Sequence, residues 1–87
     1  MRVTIRYFAR VRELLGERET LDLTGLPGAP RTVGDLQAWL IERSEAHREA
    51  LGGDRCLRTA LDQTLCSDDE PLHDGAEVAF FPPVTGG

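Results

Sequence analysis

Polar and hydrophobic residues alternate from residue 2 to residue 8, with Val3, Ile5 and Tyr7 on one side and Arg2, Thr4, Arg6 and Phe8 on the other. A period of two predicts a strand. From Ala9 the period changes. Val11, Leu14 and Leu15 fall at helical spacing and Gly16 follows, which predicts a short helical turn closed by a C-cap glycine. Residues 18–23 alternate again, with Leu21 and Leu23 inward, and predict a second strand. Residues 24–30 are rich in Gly and Pro and read as a loop. Thr32 is a good N-cap, and Asp35 falls in the first turn, near the positive end of the helix dipole. Val33, Leu36, Trp39 and Leu40 then form an apolar stripe. The pattern predicts one main helix to about residue 51, stopped by Gly52 and Gly53. On such a stripe Trp39 reads as core sooner than as a ligand platform.

Beyond the helix, residues 56–61 and 64–66 predict two short strands with Asp62 and Gln63 turning between them. Residues 67–75 form an acidic loop ending in Asp74-Gly75, a turn signal. Residues 76–81 predict the last strand, with Val78 and Phe80 on one face and Ala79 and Phe81 on the other. A strand apolar on both faces is either central or keeps one face for a partner. Two strands, a helix and three strands make an α+β fold: a mixed sheet of about five strands with one main helix and a short helical turn.

Eighty-seven residues hold one small domain, and its core leaves little room for a deep catalytic pocket. The formal net charge of −5 argues against nucleic acid, which selects basic patches, and is compatible with docking on a basic surface. No apolar run approaches the roughly 20 residues of a membrane span, and no signal-peptide core opens the chain. A cytoplasmic protein without membrane contact is the expectation. All ten basic residues are arginine. GC-rich codon usage explains that, and so does a need to keep lysine amines away from an activated acyl group. Cys56 and Cys66 lack metal spacing, and strand packing suits them better than a persulfide role. His47, placed on the outer part of the helix, and His73, in a loop, belong to no nucleophile or metal motif. Asp68-Asp69-Glu70 reads as a solvated turn, since no EF-hand pattern surrounds it.

One segment is unlike the rest. After Phe80-Phe81 the chain reads Pro82-Pro83-Val84-Thr85-Gly86-Gly87. The prolines hold an extended root, and the glycines can pass a narrow channel. Residues 82–87 reach roughly 20 Å at about 3.3 Å per residue. A frayed end is the plain alternative. An arm that carries the Gly87 carboxylate into another protein's active site is the functional one. If ATP adenylates that carboxylate, AMP becomes a good leaving group, and a sulfur nucleophile can displace it to leave a thiocarboxylate. The chain is then a carrier, and the partner supplies the acid–base groups. Residues 1–81 form the domain and 82–87 the tail.

The residues 80–87, preceded by Asp74-Gly75-Ala76-Glu77-Val78-Ala79, resemble the small, sulfur-carrying subunits of molybdopterin synthases. So do Tyr7 to Gly16, Thr32-Val33-Gly34-Asp35-Leu36, Gln63-Thr64-Leu65 and Pro71-Leu72-His73. The resemblance covers essentially the whole chain. It implies a β-grasp, ubiquitin-like fold and adenylation of Gly87 by an activating enzyme of the ubiquitin-activator type. ATP is used by that enzyme, with no cofactor held permanently by the chain. A sulfur donor protein then yields the thiocarboxylate. Insertion of Pro82, Pro83, Val84, Thr85 and Gly86 into a large subunit, within a heterotetramer, delivers the sulfur to cyclic pyranopterin monophosphate. The resemblance also implies that Phe8 and Phe81 face the partner and that Arg12 is a polar interface contact. Asp62, where Asn is expected, Cys66 and the acidic 67–71 segment depart from the family pattern. A ubiquitin-like protein modifier, and a carrier for thiamine or another sulfur pathway, are the alternatives.

Overall fold

The computed structural model describes residues 1–52 and 57–82. Its elements are β1 (Arg2–Tyr7), α1 (Ala9–Leu15), β2 (Arg18–Asp22), α2 (Val33–Ile41), α3 (Glu45–Leu51), β3 (Arg58–Leu61), β4 (Thr64–Leu65) and β5 (Glu77–Phe81). The strands form one sheet in the order β2-β1-β5-β3-β4. Only β1 and β5 are parallel, with Ile5 opposite Val78 and Tyr7 opposite Phe80; the other pairs are antiparallel. Val3, Ile5, Tyr7, Val78 and Phe80 are buried on one face of the sheet. They pack with Val11 of α1, Val33, Leu36 and Leu40 of α2, and Ala50 and Leu51 of α3 in a single cluster. A mixed sheet with helices across one face is the α+β layering that the residue pattern predicts and the β-grasp arrangement that the family resemblance implies.

The expected caps are in place. The Asp35 N–H donates to Thr32 Oγ1 at 3.1 Å, and the Gly16 N–H donates to the Arg12 carbonyl at 2.8 Å with φ at 93°. Phe8 belongs to no strand: it is the N-cap of α1. The third strand starts at Arg58, and Cys56 lies outside the described residues.

The main helix differs from the expectation. It is two helices, α2 and α3, broken at Glu42-Arg43-Ser44. Ser44 has extended backbone angles, and its Oγ accepts the His47 N–H at 3.1 Å, so it caps a new helix. The break turns α3 so that Ala50 and Leu51 reach the core while His47 meets β2. His47 is therefore not an outer helix residue; its side chain is 14% exposed.

Glu19 of β2 is the anchor of this corner. Its carboxylate takes the Tyr7 hydroxyl at 2.7 Å, His47 Nε2 at 2.9 Å and Arg43 Nη1 at 2.8 Å. Burial works against the charge on Glu19. The hydrogen bonds from His47 and Tyr7, with the His47 and Arg43 charges, outweigh it and hold the carboxyl below its usual range. Burial also pushes the Tyr7 phenol far above its usual range, and Glu19 adds to that. A carboxyl with a lowered folded pKa stabilises fully above its unfolded value, near 4.3, and loses that contribution as the pH falls through the folded value. We therefore expect the urea midpoint of the wild type to drop more steeply between about pH 5 and 3 than that of Glu19→Gln. At neutral pH the variant should lose about 1 kcal/mol, a modest figure because the cluster is partly exposed. Parallel acid limbs for the two proteins would contradict this role.

Candidate functional site

The opposite face of the sheet carries no helix among the described residues. Pleating sends Thr4, Arg6, Arg58, Ala60, Glu77, Ala79 and Phe81 to this side. Ala60 and Ala79 are register partners on adjacent strands, and Ala60 is also opposite Leu65. Two small residues side by side leave a hollow. Phe8 and Phe81 bound it on one side and Leu65 on the other. The result is an open groove of about 740 Å³ lined chiefly by Phe8, Ala60, Leu65, Ala79, Phe81 and Pro82.

The walls are apolar and accessible. Leu65 is 62% exposed and Phe8 37%. The Phe8 and Phe81 rings meet edge to face, with centroids 6.4 Å apart and planes at 89°. Phe8 is aimed at this face by the β1–α1 junction, where Ala9 takes a left-handed φ of 54°. A non-glycine residue there costs of order 1 kcal/mol, strain of the kind that collects at functional sites.

Two charged residues complete the groove. The Arg6 guanidinium lies 5.1 Å from the Phe8 ring centroid, and its Nη1 is 3.6 Å from Glu77 Oε1. Arg6 Nε is buried without a hydrogen-bond acceptor among the described residues. A buried donor left unpaired in an apolar surface is a place where a partner's acceptor would be stabilising.

The expected site residues divide into three groups. Phe8, Phe81 and Pro82 come together at the groove. Arg12 is exposed on α1 and is not part of the groove lining; its N–H reaches the Phe8 carbonyl at 3.3 Å. Pro83, Val84, Thr85, Gly86 and Gly87 lie outside the described residues. The groove thus contains the root from which residues 83–87 continue.

Arg6, Ala60, Leu65, Glu77 and Ala79 were not among the residues singled out from sequence. Ala79 was legible as part of a second apolar face. Leu65 offered only a weak signal, an apolar residue in a two-residue strand with nothing obvious to cover it.

Asp62, the departure beside the turn, is accommodated. It and Gln63 adopt φ of 50° and 68°, a conformation that Asp and Asn tolerate better than most residues. Asp62 Oδ1 accepts the Glu77 N–H at 3.0 Å, which an Asn oxygen could do equally, and Oδ2 contacts His73 Nε2. The bond from Glu77 and the one from His73 hold the Asp62 carboxyl below its usual range, and Asp62 raises His73. Trp39 is half-buried against the core, with the Arg43 guanidinium 5.4 Å from its ring centroid. Cys66 is free and half-buried, its Sγ 3.8 Å from Thr59 Oγ1. No group of three or more metal-ligating side chains occurs among the described residues.

A model of the ThiS family matches residues 5–87, from the first strand through the diglycine. The chain belongs to the ThiS family. Among ThiS-like relatives, the molybdopterin synthase sulfur carrier subunit of Escherichia coli (strain K12) is 44% identical over 85 residues, covering 98% of this chain and 99% of the relative. Among solved structures, SAMP1 from Haloferax volcanii superposes with a TM-score of 0.77 at 26% identity over the full length of both chains. A chain in the complex of subunits 1 and 2 of molybdopterin-converting factor from Helicobacter pylori 26695 does so with a TM-score of 0.67 at 28% identity, again over both full lengths. The ubiquitin-like β-grasp fold of this ThiS family member is common to these neighbours.

Proposed function

We propose that this chain is the sulfur-carrier subunit of a molybdopterin synthase. The observation that carries the reading is the 44% identity with the E. coli sulfur carrier subunit over 98% of this chain and 99% of that one. The likeness to a chain of a two-subunit molybdopterin-converting factor supports a large-subunit partner. The groove suits that partner physically: it is apolar, exposed and continuous with the tail root, and Arg6 Nε in it has no acceptor among the described residues.

In this reading the Gly87 carboxylate attacks the α-phosphorus of ATP on a ubiquitin-activator-type enzyme, and pyrophosphate leaves. Sulfide-level sulfur delivered by a donor protein attacks the Gly87 carbonyl carbon, AMP leaves with the electron pair of the broken carbon–oxygen bond, and the thiocarboxylate remains with no redox change. The large subunit then docks on the groove, takes residues 82–87 into its active site and supplies the catalytic groups. The sulfur passes to cyclic pyranopterin monophosphate. The chain contributes position and one reactive atom; ATP is spent on the activating enzyme, and the assembly is a heterotetramer in the cytoplasm.

Reconstitution tests this. The thiocarboxylated chain, a molybdopterin synthase large subunit and cyclic pyranopterin monophosphate should yield molybdopterin, one sulfur atom per chain consumed. No product with an active large subunit would overturn the reading. The likeness to small archaeal modifier protein 1, at a TM-score of 0.75, supports a second reading as a protein modifier. Adducts of the chain on lysines of other proteins would favour it.

A further inference from the structure

Among the described residues the sheet is open along β2, which pairs only with β1. The pairing uses every second residue of β2. The Tyr7 N–H donates to the Glu17 carbonyl at 3.0 Å, and the Leu23 N–H donates to the Met1 carbonyl at 2.8 Å. Hydrogen-bonded pairs alternate along antiparallel strands, so Glu19 and Leu21 also turn their backbone groups toward β1. Arg18, Thr20 and Asp22 turn theirs outward, and these groups have no backbone partner among the described residues. Such a row of N–H and C=O groups is a template for another strand.

Charged side chains usually guard an edge of this kind. Here the two charges are opposite and symmetrically placed. Arg18 and Asp22 flank Thr20 at equal distance, and all three are exposed on the sheet face that carries no helix. In its own chain Arg18 is the register partner of Arg6 and makes no ion pair among the described residues. A second β2 laid antiparallel, Thr20 opposite Thr20, sets each Arg18 against Asp22 of the other copy. The outward-turned residues then form the hydrogen-bonded pairs, so the N–H and C=O of Arg18, Thr20 and Asp22 are satisfied in both copies. Sliding the register by two residues sets Arg18 or Asp22 against Thr20, and sliding it by four sets like charges together. Glu19 falls opposite Leu21 and keeps Tyr7, His47 and Arg43 of its own chain.

We infer that β2 is a self-pairing edge: two copies of the chain join antiparallel through residues 18–22, centred on Thr20, into one continuous sheet. The interface is isologous, with the twofold axis at the Thr20 pair. The groove is lined from β3, β4, β5 and the β1–α1 junction, so it stays open in the dimer. A five-residue strand buries little surface and each copy carries a net charge of −5, so the dimer is weak and concentration-dependent. The ion pairs set the register more than the strength.

Sedimentation equilibrium of the full chain, in about 0.15 M salt and at concentrations up to about 1 mM, reads the association. The weight-average mass should climb above the 9.6 kDa of one chain toward twice that value. Arg18→Asp and Asp22→Arg should each weaken self-association at least about tenfold, because each creates two like-charged pairs across the edge. An equimolar mixture of the two variants should associate at least as tightly as the wild type, since an acidic edge then meets a basic one. In the wild type, amide hydrogen exchange at Arg18, Thr20 and Asp22 should slow with rising concentration. Exchange at Glu19 and Leu21, already bonded to β1, should not change. Phe81→Asp should dimerise as the wild type does. A mass that stays at 9.6 kDa over the whole range would overturn the inference. So would equal association by the wild type and both charge variants, or a dimer lost in Phe81→Asp, which would place the contact at the groove.

Discussion

Deletion of Gly87 is expected to abolish sulfur transfer and leave the fold unchanged. The core cluster is built from residues between Val3 and Phe80, and the deletion removes none of them. Thermal stability should stay within about 0.5 kcal/mol of the wild type, as for other changes remote from the core. The chemistry is affected differently. Gly86 would become the terminal carboxylate, one residue or about 3.5 Å short of the reacting position. Misplacement of a reacting atom by about 1 Å can cost 10²-fold, so a whole residue should reduce molybdopterin formation by more than that. The check is the reconstitution assay run beside a melting curve. A truncated chain that transfers sulfur normally would remove Gly87 from the mechanism.

Phe81→Asp is expected to separate folding from partner binding. The Phe81 ring lies on the open face, against Phe8 rather than in the core cluster. Losing that edge-to-face pair costs the isolated domain about 1 kcal/mol. Binding should suffer more, because the aspartate puts an unpaired charge where an apolar surface is to be desolvated. A loss of about 3 kcal/mol, or roughly 100-fold in Kd for the large subunit, is the size expected of a central aromatic contact. Titration calorimetry with the large subunit measures it. An unchanged Kd in a folded variant would mean that the groove is not the docking surface.

How much of this was legible in the sequence depends on the range of the interaction. The alternation of Val3, Ile5 and Tyr7 is local, and the strand it predicts is present. So are the Thr32 cap and the Gly16 stop, which act within one turn. The break at Ser44 was missed because the apolar pattern continues to Leu51. What bends the chain there is a cap reinforced by His47 meeting Glu19, 28 positions earlier in sequence. The site followed the same rule. Phe8, Phe81 and the tail stood out by type and place, whereas Ala60 and Leu65 join the groove only through the register of β3 with β5 and β4. That register is a tertiary choice, and no local pattern encodes it.

In the proposed function Gly87 carries the sulfur. Its most direct test is the intact mass of the chain after incubation with the activating enzyme, Mg·ATP and a sulfur donor protein, followed by fragmentation. One oxygen should be replaced by one sulfur, located at Gly87. An unmodified carboxylate, under conditions where the same enzyme and donor convert a known sulfur carrier, would contradict it.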